Sequence, residues 1–473
     1  MNKALIFLFG ATGDLARKKL LLAIGNLYAE GYISSDSQLI CISRRNFTTK
    51  EFIDFANINN NPIVSIVKYI KMDFQNPDPI ELIDIKNKFS KENDSFVQLS
   101  YLAVSPDYFL QMVDVLKKLD HEEHRIVFEK PFGKDLSHAK ELNEKVQENF
   151  PEEKIFRIDH YLGKELVQNI FNVRFGNRLF EAIWCRQYID SIQITVAEST
   201  GVEKRGSYYE TAGATKDMYQ NHLLQILSLV CMEPPLDMNP ESIRDRKTEL
   251  LRQIRKIDNK DVVFSQYDEG FIDLEPVNSY CQEDNVYEGS KTETYTATAV
   301  FVDNERWMGV PIFLRTGKRL ATRVAEINII LKKPESKVLH SLLGEGNENI
   351  ITIRIQPSEG ISVSFMVKEP GPEMKLEKGH ISFCYPCLFA FNTMEAYELA
   401  LLEALNGDHT LFTRWDFVET SWEITQQILS FLPEQIMEFP DYKAGTDGPA
   451  RAEKLISRYG RKWLPLLPTI VES

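Results

Sequence analysis

The stretch Ala4-Leu-Ile-Phe-Leu-Phe-Gly-Ala-Thr-Gly-Asp-Leu-Ala-Arg17 decides how the N-terminal part of the chain folds. Its apolar opening reads as a buried strand, Gly10-Ala-Thr-Gly13 as a tight turn, and the spacing of apolar residues from Leu15 to Glu30 as a helix. Strand, glycine turn and helix in that order are where a doubly wound fold lays a dinucleotide pyrophosphate on backbone amides. Gly-x-x-Gly also suits an ordinary strand-to-helix turn, so the spacing alone leaves both readings open. The alternation continues downstream. Gln38 to Ser43, Phe96 to Val104, Arg125 to Glu129 and Lys154 to Ile158 are strand candidates, while Pro79 to Phe89, Tyr108 to Leu119 and Asp135 to Asn149 carry helical spacing. Such a pattern predicts a parallel sheet wound with helices. After the second strand, Ser43-Arg44-Arg45 stands where an acidic residue would bind an unphosphorylated ribose. An arginine pair there is otherwise solvated surface; together with the glycine turn it favours a 2′-phosphate and points to NADP.

Beyond about Asp159 the strands lengthen and alternate: Ser191 to Glu198, Glu293 to Val302, Ala325 to Lys332, Ile350 to Gln356 and Ile361 to Val367. They predict one large, mostly antiparallel sheet, with helices at Thr215 to Cys231, Pro240 to Ile257 and Thr393 to Leu405 covering one face. The fold class expected is therefore an α/β, Rossmann-like doubly wound domain over 1–158, followed by an α+β domain over 159–473.

Composition narrows the partners. With 55 Lys plus Arg against 69 Asp plus Glu, the formal net charge of -14 opposes non-specific binding to nucleic acid or anionic membrane. An anionic ligand then needs a locally basic pocket. The opening apolar run is shorter than a signal-peptide core, and no stretch approaches the roughly 20 apolar residues of a membrane helix. Six cysteines in 473 residues make no disulfide framework, and a reducing compartment, the cytoplasm, fits them.

Arg157-Ile-Asp-His-Tyr-Leu-Gly-Lys-Glu165 crowds a carboxylate, an imidazole, a phenol and a lysine at a strand-to-helix junction. Read alone, Asp159 caps a helix and His160 is a half-buried structural histidine. The string nevertheless resembles the active-site signature of the glucose-6-phosphate dehydrogenases. Gly10-Ala-Thr-Gly-Asp-Leu-Ala16, Glu129-Lys-Pro-Phe-Gly133, Gly213-Ala-Thr-Lys-Asp-Met-Tyr-Gln-Asn-His222, Leu314-Arg-Thr-Gly-Lys318 and Leu411-Phe-Thr-Arg-Trp-Asp416 resemble further landmarks of that family, in the same order. The resemblance implies oxidation of glucose 6-phosphate at C1 with NADP, the first oxidative step of the pentose phosphate pathway, in a homodimer or homotetramer built through the second domain's sheet.

Residue by residue, the resemblance implies His222 as general base, a role an imidazole fills near neutrality, with Asp159 fixing its tautomer. Lys130 is implied between cofactor and substrate, ahead of a cis Pro131. His160, Tyr161 and Lys164 are implied as the phosphate site, with Lys318 and Arg323 adding charge, although Arg319 beside them complicates the choice of side chain. Glu198 and Asp217 are implied as acceptors for sugar hydroxyls, which carboxylates suit because they accept bidentately. Gly10, Ala11, Thr12, Gly13, Asp14, Leu15, Arg44, Tyr101 and Lys130 are the cofactor-binding set. Thr215-Lys216 departs from the family, whose members commonly carry a bulkier apolar residue and an arginine there.

Cys384-Tyr-Pro-Cys387 has redox spacing but follows a strand of antiparallel type rather than opening a helix, so it is read as structural, and no cysteine or histidine set completes a metal site. Hydride transfer to nicotinamide demands no metal. Two other functions stay open: a catalytically idle NADP-binding sensor or scaffold, and a dehydrogenase of another hexose or hexose phosphate.

Overall fold

Every residue of β1 (Ala4–Phe9) is buried, and the strand runs parallel to β2 (Gln38–Ser43) on one side and to β4 (Val97–Leu102) on the other. The structure, a computed structural model, describes residues 3–336, 348–389 and 394–466. With β3 (Val67–Lys71), β5 (His124–Phe128) and β6 (Ile155–Ile158), the order β3-β2-β1-β4-β5-β6 is wholly parallel, and Phe412–Thr413 adds a short antiparallel edge on β6. Strand order reverses at β1, the place where open α/β sheets bind ligands beyond their carboxyl ends. Helices α1 (Leu21–Ala29), α3 (Ile80–Glu92), α4 (Phe109–Lys118) and α5 (Leu136–Gln147) form where apolar periodicity predicts them. Among the wound strands and helices of this first sheet, two were not anticipated. Helix α2 (Thr49–Ala56) is started by a capping box between Thr48 and Glu51, and β3 is short with a lysine second and last, which masks its alternation.

The chain packs as two compact units, neither continuous in sequence. The first takes Met1–Lys164, Pro235–Asp245 and Met394–Glu419; the second takes Glu165–Pro234, Arg246–Thr393 and Thr420–Ser473. The helix Ala396–Asn406, expected over the antiparallel sheet, instead packs in the first unit on α1, β4 and β5. Its small Ala400 and Ala404 permit close approach, and Glu395 at its start pairs with Lys19 at 2.7 Å. Thr393, its expected first residue, lies outside the described residues.

In the second unit, eight strands pair in the order Leu376–Cys384, Gly360–Lys368, Ile350–Gln356, Val324–Leu331, Ile189–Ala197, Ile312–Gly317, Tyr295–Val300, Val262–Ser265. All pairings but that of Ile189–Ala197 with Ile312–Gly317 are antiparallel. The helix expected over Pro240 to Ile257 stops at Arg252, because Ile254 pairs with Val302 and the Arg255 N–H donates to Phe301 O. The stretch expected as one helix from Thr215 to Cys231 is π-helical over Thr215–Leu223 and α-helical over Leu224–Cys231, and its π part lies on three central strands. Cys384 and Cys387 are joined as a disulfide where that strand passes into a helical turn, their Cα atoms 5.3 Å apart. The chain bend brings this pair, three residues apart, within bonding reach, and the other four cysteines are free. Among the described residues no helix is long and apolar enough to cross a membrane.

Candidate active site

In the first unit, the backbone N–H groups of Gly10 and Ala11 donate to Ile42 O, which folds the turn back on β2. Gly10 sits at φ +87°, and a Cβ there would overlap the backbone carbonyl of Ala103, so only glycine lets β1 and β4 diverge this closely. The Thr12 hydroxyl shares a 2.6 Å hydrogen bond with Ser43, Gly13 and Asp14 are exposed, and Leu15 leads into a π-helical turn, Ala16–Leu20, ahead of α1. Arg44, exposed after β2, donates to the Tyr108 hydroxyl at 3.1 Å just before α4. Because β1 lies between β2 and β4, this pair reaches across the sheet beyond the glycine turn. Arg17 and Arg45 both lie over the Phe55 ring, at 4.4 and 4.7 Å. Three guanidinium groups beside this glycine turn fit the charge of a phosphorylated dinucleotide.

Tyr101 is buried on β4 and donates to Glu129 Oε1 at 2.5 Å. Burial pushes its phenol well above the ordinary range, and the Glu129 charge adds to this. Burial likewise raises Glu129, opposed by its hydrogen bonds from Tyr101 and the Lys130 N–H. The Lys130-Pro131 peptide is cis. Asp159, 4% exposed, follows β6 and accepts from the Tyr161 N–H at 3.0 Å, fixing the turn that presents the next residues. His160 and Tyr161 rings meet at 5.1 Å, and the Lys164 ammonium lies 4.9 Å over Tyr161. The three residues expected at the phosphate are thus neighbours.

The second unit supplies the other expected residues. Glu198, after Ile189–Ala197, forms an ion pair with Lys318, after Ile312–Gly317, so neighbouring parallel strands deliver both at the same end. Arg319 turns aside to pair with Glu283 at 2.9 Å, which leaves Lys318 as the basic residue beside Glu198. Arg323 is exposed on the bend before Val324–Leu331. Asp217 and His222, 5% and 0% exposed, both lie on the π-helix Thr215–Leu223.

Three residues escaped the sequence. Tyr208 donates to Asp217 Oδ1 at 3.2 Å, with burial and then the Asp217 charge raising its phenol. Buried Tyr209 carries the Lys318 ammonium 5.6 Å from its ring centroid; burial raises its phenol first, then Asp217, Glu293 and Glu198. Glu293 lies against the start of the π-helix. The tyrosines read as core aromatics in a helix, and Glu293 as one polar residue among threonines; only the alternation Thr294, Thr296, Thr298 signals an inward polar face.

The family described as "Glucose-6-phosphate dehydrogenase, NAD binding domain" matches residues 7–169, and "Glucose-6-phosphate dehydrogenase, C-terminal domain" matches residues 171–464. The chain is 36% identical to the glucose-6-phosphate 1-dehydrogenase of Bacillus subtilis over 98% of each chain, and 39% identical to that of Borreliella burgdorferi over 96% of each. A solved glucose-6-phosphate dehydrogenase in complex with its substrate glucose-6-phosphate superposes with a TM-score of 0.89 at 33% identity, covering 98% of this chain and 99% of that one. The glucose-6-phosphate 1-dehydrogenase of Mycobacterium avium superposes with a TM-score of 0.83 at 32% identity, covering 99% and 100%.

Proposed function

The chain belongs to the glucose-6-phosphate dehydrogenase family, and on that premise we propose how its own side chains carry the reaction. The reaction is oxidation of D-glucose 6-phosphate at C1 to 6-phospho-D-glucono-1,5-lactone with NADP as acceptor, the first oxidative step of the pentose phosphate pathway. Bound NADP supplies the hydride acceptor. The turn Gly10 to Leu15 receives its pyrophosphate, Arg44 its 2′-phosphate, and Tyr101 and Lys130 line its path toward the sugar. His160, Tyr161 and Lys164 hold the substrate phosphate, Lys318 and Arg323 add charge, and Glu198 and Asp217 accept from sugar hydroxyls. His222 takes the proton of the C1 hydroxyl as the C1 hydride leaves, so C1 becomes the lactone carbonyl, and Asp159 orients the imidazole.

The observation that carries these assignments is that a fully buried His222 and a buried Asp217 share one π-helical stretch, a winding that recurs at functional sites. Initial rates with glucose 6-phosphate against glucose, each with NADP and NAD, test it. Fast reduction of NADP that requires the phosphate is expected; equal rates with glucose would remove His160, Tyr161 and Lys164 from the phosphate role. We further propose a cytoplasmic homodimer or homotetramer. Ile381 and Phe383, 65% and 36% exposed on the edge strand Leu376–Cys384, support association through the second unit's sheet, which light scattering on the purified enzyme checks.

A further inference from the structure

Glu293 is a carboxylate with 4% exposure that the reaction as proposed does not use. It packs where a helix breaks. Gly206–Ala214 is interrupted at Gly213, whose φ of 60° and ψ of −179° suit glycine alone, and a Cβ on Gly213 would overlap the Glu293 carboxylate. A new helix therefore starts after Gly213, and the N–H groups at its start have no preceding turn to bond to. Glu293 receives two of them: the Ala214 N–H donates to its backbone oxygen at 3.0 Å, and the Thr215 N–H to Oε1 at 3.1 Å. The strand beyond continues the contact, Thr296 bonding the Thr215 hydroxyl and Thr298 the Tyr219 hydroxyl, each at 2.8 Å. Residues two apart on a strand thus meet residues four apart on a helix, which sets the register between them. One residue along, Thr294 O accepts from the Lys318 N–H at 3.0 Å.

The winding held in place is π, and that decides where its side chains point. In an α-helix two residues five apart lie about 140° apart around the axis. The wider i→i+5 turn brings such residues toward one side, and Asp217 and His222 are five apart. A π-helix is rare beyond a single turn, so a stretch of nine residues needs an outside hold.

We infer that Glu293 is a positioning residue that caps and registers the π-helix Thr215–Leu223, keeping Asp217 and His222 turned toward the same sugar phosphate. The inference rests on the roles proposed for those two residues. Burial raises the Glu293 carboxyl, opposed by the Thr215 hydrogen bonds and the Lys216 charge.

Two variants test it. Glu293→Gln keeps an oxygen for the Thr215 N–H; Glu293→Leu keeps the bulk and removes the acceptor. In Glu293→Leu, kcat/KM for glucose 6-phosphate should fall about 10- to 100-fold, the scale of a small misplacement of reacting groups. KM for NADP should stay unchanged, amide hydrogen exchange should quicken across 215–223 and not elsewhere, and Glu293→Gln should match the wild type on every readout. Unchanged exchange, or loosened exchange with wild-type turnover, would overturn the inference. Should Glu293→Leu fail to fold, Glu293→Asp, which draws the carboxylate back by one methylene, takes the same readouts. Failure of the His222 assignment is seen separately, as a His222→Asn enzyme that still turns over while Glu293→Leu loosens the helix and slows the reaction.

Discussion

A histidine with no exposed surface exchanges its proton only with groups packed or bound beside it, which suits His222 to a base that works inside a closed complex. Replacing it with asparagine keeps much of the volume and removes the basic nitrogen. His222→Asn should lower kcat by about 10²- to 10⁴-fold, while NADP and glucose 6-phosphate still bind, as initial rates and fluorescence titration would show. Arg44 tests cofactor choice. Arg44→Ala removes the guanidinium that pairs with Tyr108 and should raise KM for NADP about tenfold, a loss of about 1.4 kcal/mol, with little change for NAD. His222, Lys164 and Lys318 could be put forward from the sequence because each lies in a string whose neighbours are constrained as well. Tyr208 and Glu293 could not, because their partners, Asp217 and Thr215, lie 9 and 78 positions away, and nothing local marks those contacts.

Among the elements, the turn after β1 depends on Gly10. Gly10→Ala would set a Cβ against a backbone carbonyl that has no freedom to yield, at a φ that disfavours alanine. A loss of at least about 1–3 kcal/mol in urea unfolding is expected, with weaker NADP binding. At the opposite end of the sheet, His124 begins β5 wholly buried, its ring nitrogens bonded to Ser100 at 2.9 Å and Asp120 at 3.4 Å. Burial lowers its pKa, although Asp120 works the other way. Protonation therefore favours the unfolded chain. The stability contributed by neutral His124 is complete above the ordinary histidine pKa of about 6.5 and is lost as pH falls below it. Melting temperature should drop between about pH 7 and pH 5, and less steeply in His124→Asn. Strands and helices of the first unit were legible wherever apolar period and length agreed. The π winding of Thr215–Leu223 was not, since its apolar spacing reads equally well as α-helix, and the partners that hold it come from strand residues far along the chain.

For the whole molecule, binding and folding are linked. NADP at about a hundred times its Kd should add about 2.7 kcal/mol of stability, seen as a rise in melting temperature that NAD at equal concentration does not match. A single cut between 158 and 159 was all that texture along the chain offered, because Met394–Glu419 carries no compositional sign that it packs with the first unit. That arrangement bears on how the protein is made. β6 stays unpaired on its outer edge until Phe412–Thr413 arrives, and β4 and β5 await the helix Ala396–Asn406. Between Lys164 and Glu419 the ribosome must add 255 residues (419 minus 164), which at about 5–20 residues per second takes on the order of 13 to 50 seconds. Throughout that interval the nascent sheet emerges with its apolar seat uncovered, so the enzyme's N-terminal unit, although translated first, is among the last parts to be finished.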